Sequence, residues 1–416
     1  MLVRKFCFWI LLLTSAHTTA VPMYESALTG KSDARSEPEY VAYRQAQHEF
    51  SNGKPDAASR YYQNALNANP NFFPALIGLA EIADAAGQSQ KAQEYFSKAF
   101  NIAKDSGLLH TAYGKFLLKQ GKLNEAEKEF EQALKLNPEI ANAHGELAVI
   151  ALSQKNDAKK AVQHYQQASK FDPANMTYLY GLSTAQHRSG QLNEAISTLK
   201  KITKKLSDNA QPWQFMGLYY MQSGQANNAI DPLETASRLA PDNADIKWLL
   251  GEVYTQSGRP QQALDLYQRM IDKKIKSDAA HMKRALIFHA LNKLSDAEKA
   301  YQAALNINPQ LADAYNNLAY ITIQTEKNYE QGLRWAKKAV GIDPDNPAFL
   351  DTLGWLQFKT GDHKSAKDNL TKAANGKPET YDAHFHLAKV YEHLGDAAQA
   401  KKHFEIAKQI QNSQQH

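Results

Sequence analysis

An alanine that returns every 34 residues constrains this chain more than any other feature. It stands at Ala58, Ala92, Ala126, Ala161, Ala195, Ala229, Ala263, Ala297, Ala366 and Ala400, with Gly332 taking its place once; eight of the ten steps are 34 residues and two are 35. A second in-phase series is small throughout: Ala46, Ala80, Gly114, Ala148, Ser183, Gly217, Gly251, Ala285, Ala319, Gly354 and Ala388. Small residues at fixed spacing mark points where two helices cross, because a larger side chain there would hold the backbones apart. Four residues after the first series comes a bulky group, such as Tyr62, Phe96, Phe130, Tyr165, Tyr267, Tyr301 or Phe404. Residues four apart share a helix face, so this group fills the space beside the small contact.

The punctuation keeps the same period. Glycines from Gly53 to Gly395 fall between the two helices of a unit, where a left-handed residue ends the first helix. Three residues later stand Asp56, Asn124, Asn193, Asn227 and Ser295, which read as N-caps of the second helix. Prolines close most units, at Pro70, Pro138, Pro173, Pro241, Pro309, Pro344 and Pro378; Lys104, Ser207, Ile275 and Asn412 replace them in the others. The two longer steps place an extra residue in the inter-helix turn, around Asn156 and Lys327, where a loop absorbs it at small entropic cost. The stretch from Asp343 to Pro378 shows one complete unit.

These offsets of small residue, aromatic, alanine and proline resemble the tetratricopeptide repeat, whose 34-residue signature they match. The resemblance divides 39–412 into eleven repeats: 39–72, 73–106, 107–140, 141–175, 176–209, 210–243, 244–277, 278–311, 312–346, 347–380 and 381–412. It implies an all-α fold, a right-handed α-solenoid whose first helices line a concave groove. Each unit of such an array buries its apolar face only against its neighbours. The runs Asn316-Asn317-Leu318-Ala319-Tyr320 and Asp351-Thr352-Leu353-Gly354-Trp355 further resemble a C-terminal pair in exported bacterial envelope members.

The family's layout assigns the groove to the second, fifth, ninth and twelfth residues of each first helix. Mid-array these are Tyr180, Thr184, His187, Gln214, Leu218, Met221, Trp248 and Glu252; near the end they are Asp313, Asn316, Tyr320, Asp351, Trp355 and Phe358. Rings supply apolar area and amides or carboxylates fix register, a mixture suited to an extended peptide or a glycan. The alternative for each ring is packing against the adjacent first helix. One family subclass grips a peptide carboxylate with groove lysines. The matching positions here hold Tyr43, Ile77, Thr111, Tyr180, Gln214 and Trp248, so the resemblance does not extend to that clamp.

The N-terminus has another character. Arg4 and Lys5 precede an apolar run from Phe6 to Leu13, then small residues up to Ala20. This is the pattern of a secretory signal peptide over 1–20, with cleavage expected after Ala20, and cleavage after Ala16 or an uncleaved anchor as the alternatives. Cys7, the single cysteine, lies inside the leader and ahead of most of the apolar run, which argues against lipidation there. The polar stretch 21–38 reads as a flexible linker and 413–416 as a polar tail.

No chemistry-bearing motif stands out. There is no His-Glu-x-x-His, no glycine-rich phosphate loop and no Gly-x-Ser-x-Gly elbow. His384 and His386, two apart, point to different faces of a helix, and His281 and His289 have no acidic residue between them. A net charge of +5 over 416 residues gives no support for nucleic-acid binding. The expectation is a non-enzymatic scaffold without cofactor, exported to the periplasm or outer envelope. Its expected partners are proteins or peptides, and it would meet membrane only through partners or an uncleaved leader. The alternative is an accessory of polysaccharide export, exosortase-type or secretion systems that contacts glycan or positions a catalytic partner.

Overall fold

In the computed structural model, residues 36–413 are described, and every regular element among them is an α-helix. The leader, the linker up to residue 35 and the last three residues lie outside that range. Twenty-two helices follow one another as first and second helix of eleven repeats, beginning with Pro38–Ser51 and Pro55–Ala68. Their contacts divide the chain into two compact units, one up to Gln225 and one from Ala226.

Within each unit the in-phase alanines are the floor of the core. Ala58, Ala92, Ala126, Ala161 and Ala195 in the first unit are wholly buried, as are Ala263, Ala297 and Ala366 in the second. The aromatic four residues on is pressed against the small residue of the first helix. A Cβ added to Gly114 would come within 2.7 Å of the Phe130 ring, and one added to Gly251 within 2.6 Å of Tyr267. The same ring also receives the next repeat: a Cβ on Gly78 would meet Tyr62 at 2.3 Å, and one on Gly181 would meet Tyr165 at 2.3 Å. One buried ring thus locks its own hairpin and seats the following one, which is how the array propagates.

The turns follow from backbone sterics. Gly121 takes φ 75° between its two helices, and where the glycine is missing an asparagine does the same work, Asn292 at φ 56°. Where the closing proline gives way to Ile275, Lys274 and Lys276 adopt φ 56° and 46° and turn the chain instead.

One reading needs correction. Asp56, Asn124, Asn193 and Ser295 do not cap the second helices; these begin one residue earlier, at Pro55, Leu123, Leu192 and Leu294, after N-caps that make no side-chain bond. Asn227 likewise sits inside Ala226–Leu239. Short polar residues in a first turn leave the amides to solvent, and side-chain capping is concentrated on the first helices. There Asn175, Asn209, Asn243 and Asn346 each accept a bond from the amide two residues on. The last helix runs Ala397–Ser413.

Candidate binding face

Every residue assigned to the groove stays at least partly accessible, while the small residues beside them are buried. That separation comes from helical phase: the small position and the four assigned positions lie on different faces of one first helix.

In the first unit, Tyr180, Thr184 and His187 lie on Met176–Arg188 and Gln214 and Met221 on Ala210–Gln222. His187 stacks on Tyr219 with centroids 4.3 Å apart and planes 8° apart, and its Nε2 meets the side-chain oxygen of Gln222. Thr184 donates to the Tyr180 carbonyl at 3.0 Å. The Tyr180 hydroxyl is buried with no partner among the described residues, and burial pushes it up to about 12. Gln214 and Met221 are half-buried on the same helix as Tyr219.

In the second unit, Trp248 on Ala244–Gln256 lies under two ammonium groups, Lys276 at 5.7 Å and Lys283 at 5.5 Å from the ring centroid. Each lysine is fixed by a carboxylate of Trp248's own helix, Lys276 by Asp245 at 2.7 Å and Lys283 by Glu252 at 3.1 Å. Cations over an indole face are attracted by its quadrupole, and the carboxylates hold them there.

The densest part is at repeats 9 to 11, where the first helices Ala312–Thr325, Pro347–Lys359 and Tyr381–His393 touch in succession. The His386 Nδ1 donates to the Asp351 carboxylate at 2.9 Å, and His386 stacks on Trp355 at 4.2 Å. Trp355 continues onto Phe358 at 5.2 Å, and the Lys359 ammonium lies 5.0 Å from its centroid. Phe358 meets His363 at 5.4 Å and, edge-on, His393 at 5.5 Å. Tyr320 is the open ring of the group, 41% exposed. Its hydroxyl is raised first by burial and then by the charges of Asp382 and Asp351. Asn316 presents a buried Oδ1 without a partner among the described residues.

Asp351 and Trp355 are therefore gathered on His386, with Phe358 beside Trp355, and the Asp351 charge acts on Tyr320, while Asn316 sits a turn away on the Tyr320 helix. Sequence reasoning missed His386, Tyr219, Gln222, Lys276 and Lys283. Their signal was spacing: His386 and Gln222 lie 35 residues beyond Asp351 and His187, and Lys283 lies 31 beyond Glu252. None of the assigned residues lines the shallow cavity of 440 Å³ in the last repeat, which lies among Gly395, Ala400, Lys401 and Phe404. Among the described residues no group of three His, Cys, Asp or Glu side chains could hold a metal ion. No helix among them is long and apolar enough to cross a membrane.

Residues 43–106 and 352–414, 220–287 and 312–346 match tetratricopeptide-repeat families, 285–324 matches the TPR repeat, and 76–240 matches the middle TPR-like domain of cilia and flagella-associated protein 70. The chain is a tetratricopeptide-repeat protein. It is similar to a TPR repeat-containing protein of Pseudomonas aeruginosa, 28% identical over 23% of this chain and 16% of that protein. It is also similar to mouse DnaJ homolog subfamily C member 3, 28% identical over 40% of this chain and 36% of the relative. The chain thus spans well under half the length of either relative. Among solved structures, it aligns with the APC/C hetero-tetramer Cut9–Hcn1 at 12% identity and TM-score 0.43, over 90% of this chain and 94% of that one. Tetratricopeptide-repeat arrays generally bind protein partners.

Proposed function

We propose that this tetratricopeptide-repeat protein is a non-enzymatic scaffold of the bacterial cell envelope that holds protein or peptide partners on its first-helix face. The contact would be centred on repeats 9 to 11. One observation carries the reading: Asp351, His386, Trp355 and Phe358 form a connected, half-buried ladder across successive first helices, beside the exposed Tyr320. A pre-ordered surface of this kind loses little side-chain entropy when a partner docks. The leader pattern at the N-terminus supports export.

The test is site-specific photocrosslinking in envelope extracts, with the crosslinking residue at Tyr320 or, as control, at Glu298 on the second helix of repeat 8. Discrete protein adducts from Tyr320 and none from Glu298 are expected. Equal labelling from both positions would refute a partner face on the first helices.

A glycan-contacting accessory role has the exposed ring of Tyr320 in its favour. Against it, Trp355 already carries His386 and Lys359 on its ring. Saturable binding of envelope polysaccharide, lost in Tyr320→Ala, would support that second reading over the first.

A further inference from the structure

The residue four before the first-helix small position packs against the residue three after the second-helix alanine, and in three repeats this pair is ionisable. In repeat 3 it is His110 with Glu129, Nδ1 to Oε2 at 2.6 Å. In repeat 4 it is His144 with His164, Nδ1 to Nδ1 at 3.1 Å, and in repeat 11 it is His384 with His403, Nδ1 to Nδ1 at 2.9 Å. The geometry is the same, but the proton arithmetic is not. A histidine facing a carboxylate is best satisfied when it carries its second proton. Two histidines facing each other through Nδ1 need one bare nitrogen and one N–H, so protonating both puts two donors and two positive charges in contact.

The surroundings fix the neutral form in repeat 4. His144 donates through Nε2 to the Pro138 carbonyl at 3.0 Å, which leaves its Nδ1 as the acceptor and makes His164 the donor. Phe171 stacks on His144, and Lys160 adds positive charge near His164. The carboxylate acting on the pair among the described residues, Glu127, is already bound by Lys155 at 2.6 Å and lies 3.5 Å from Lys160. In repeat 11, Tyr391 stacks on His403, and Lys402 adds positive charge. The His384 Nε2 is buried, 4.0 Å from Glu379, whose side chain is 59% exposed. His110 in repeat 3 has the opposite setting, with Glu129 in contact and Asp105 nearby.

We propose that the pairs His144–His164 and His384–His403 form an acid-sensitive element that opens repeats 4 and 11 while repeat 3, with its His110–Glu129 pair, stays closed. Stability in a repeat array is local, so loosening one repeat does not require the rest to unfold. Burial is the first cause that lowers all four of these histidines, and in His164 and His403 the facing histidine is the next. His164 falls from 6.5 to about 4. A base held below its unfolded value binds fewer protons in the folded state. The stability it protects is complete above about pH 6.5 and drains away as pH falls towards about 4. For His164 alone, linkage makes the opening of repeat 4 about tenfold more frequent at about pH 5.5 than at about pH 7.5.

Amide hydrogen exchange on the full chain, corrected for the intrinsic pH dependence of exchange, reads this directly. Protection in repeat 4 is expected to fall about tenfold or more across that interval and protection in repeat 11 to fall with it, with no comparable loss in repeat 3. His164→Glu and His403→Glu rebuild the carboxylate pairing of repeat 3 and are expected to abolish the loss. Should those variants fold poorly, the double replacements His144→Leu with His164→Tyr and His384→Leu with His403→Tyr install the residues that repeat 2 holds, Leu76 and Tyr95. They are expected to abolish it as well. Unchanged protection of repeats 4 and 11 in acid, or an acid response that survives in the folded variants, would overturn the proposal.

Discussion

Replacing Gly251 by alanine tests the claim that ring-on-glycine contacts set the helix spacing. An ideal Cβ at this position falls 2.6 Å from Cζ and 2.7 Å from Oη of Tyr267, a side chain with no exposed surface. Ordinary contact begins near 3.4 Å, so the ring or the helix must move by about 0.8 Å, and overpacking of this order costs about 1–3 kcal/mol. Alanine recovers about 1 kcal/mol of helix propensity, which leaves a net loss of about 0–2 kcal/mol. The matched control is Gly341→Ala, in the helix Tyr329–Ile342, where a new Cβ meets nothing within 4 Å. That change keeps the propensity gain and is expected to stabilise by about 0.5–1 kcal/mol. Urea unfolding, with hydrogen exchange to localise the effect to repeat 7, reads both. Equal stabilisation by the two substitutions would show that the Tyr267 contact does not limit the approach of the helices.

Three other perturbations follow from named contacts. The Tyr178 hydroxyl donates to Asn142 Oδ1 at 2.6 Å beneath a buried ring, so Asn142→Ala is expected to cost about 1–2 kcal/mol, and the pair with Tyr178→Phe less than the sum, in a double-mutant cycle followed by urea. His110 is raised first by its bond to Glu129. The stability it lends is therefore present below its unfolded value of 6.5 and lost as pH rises through the folded one, and NMR titration of the ring should show the upward displacement vanish in Glu129→Gln. Asp351→Ala frees His386 from its carboxylate, with an expected cost of about 1–2 kcal/mol and a shifted 5-fluorotryptophan resonance for Trp355, on which His386 stacks; an unmoved resonance would show that Asp351 does not hold the ring.

How much of this was legible in the sequence differs by element. The hairpins were, because every repeat solves the same packing problem with a small residue, a ring and a turn. Gly114 and Phe130 announce their contact by their phase in the repeat alone. The caps were misread, although the true ones carried a signal: Asn175, Asn209 and Asn243 stand 34 residues apart, each accepting the amide two residues on. On the binding face the register told which side chains escape the core. It did not tell what they touch, because His386, Tyr219, Gln222 and Lys283 belong to the next repeat and to helical positions outside the assigned ones. The register puts Trp355 on that face, but nothing in the spacing of His384 and His386 points to the stacking of His386 on its ring.

The histidine pairs mark the limit of periodicity as a guide to function. Positions that stay small through all the repeats carry packing and say little about this chain in particular. The position four residues earlier is filled differently: Ala42, Leu76, His110, His144, Leu179, Trp213, Lys247, His281, Tyr315, Leu350 and His384. Leu76 and Leu350 show that a buried leucine satisfies the fold there. A leucine contributes about 1.5–3 kcal/mol on burial, so a histidine facing a second histidine gives up most of that gain. What replaces it is a contact whose strength depends on pH, and His110 with Glu129 shows that the same site can carry the opposite dependence. Two repeats built to weaken in acid, in an array where a third is built to strengthen, make a gradient of stability along the chain that a single set of leucines would have erased.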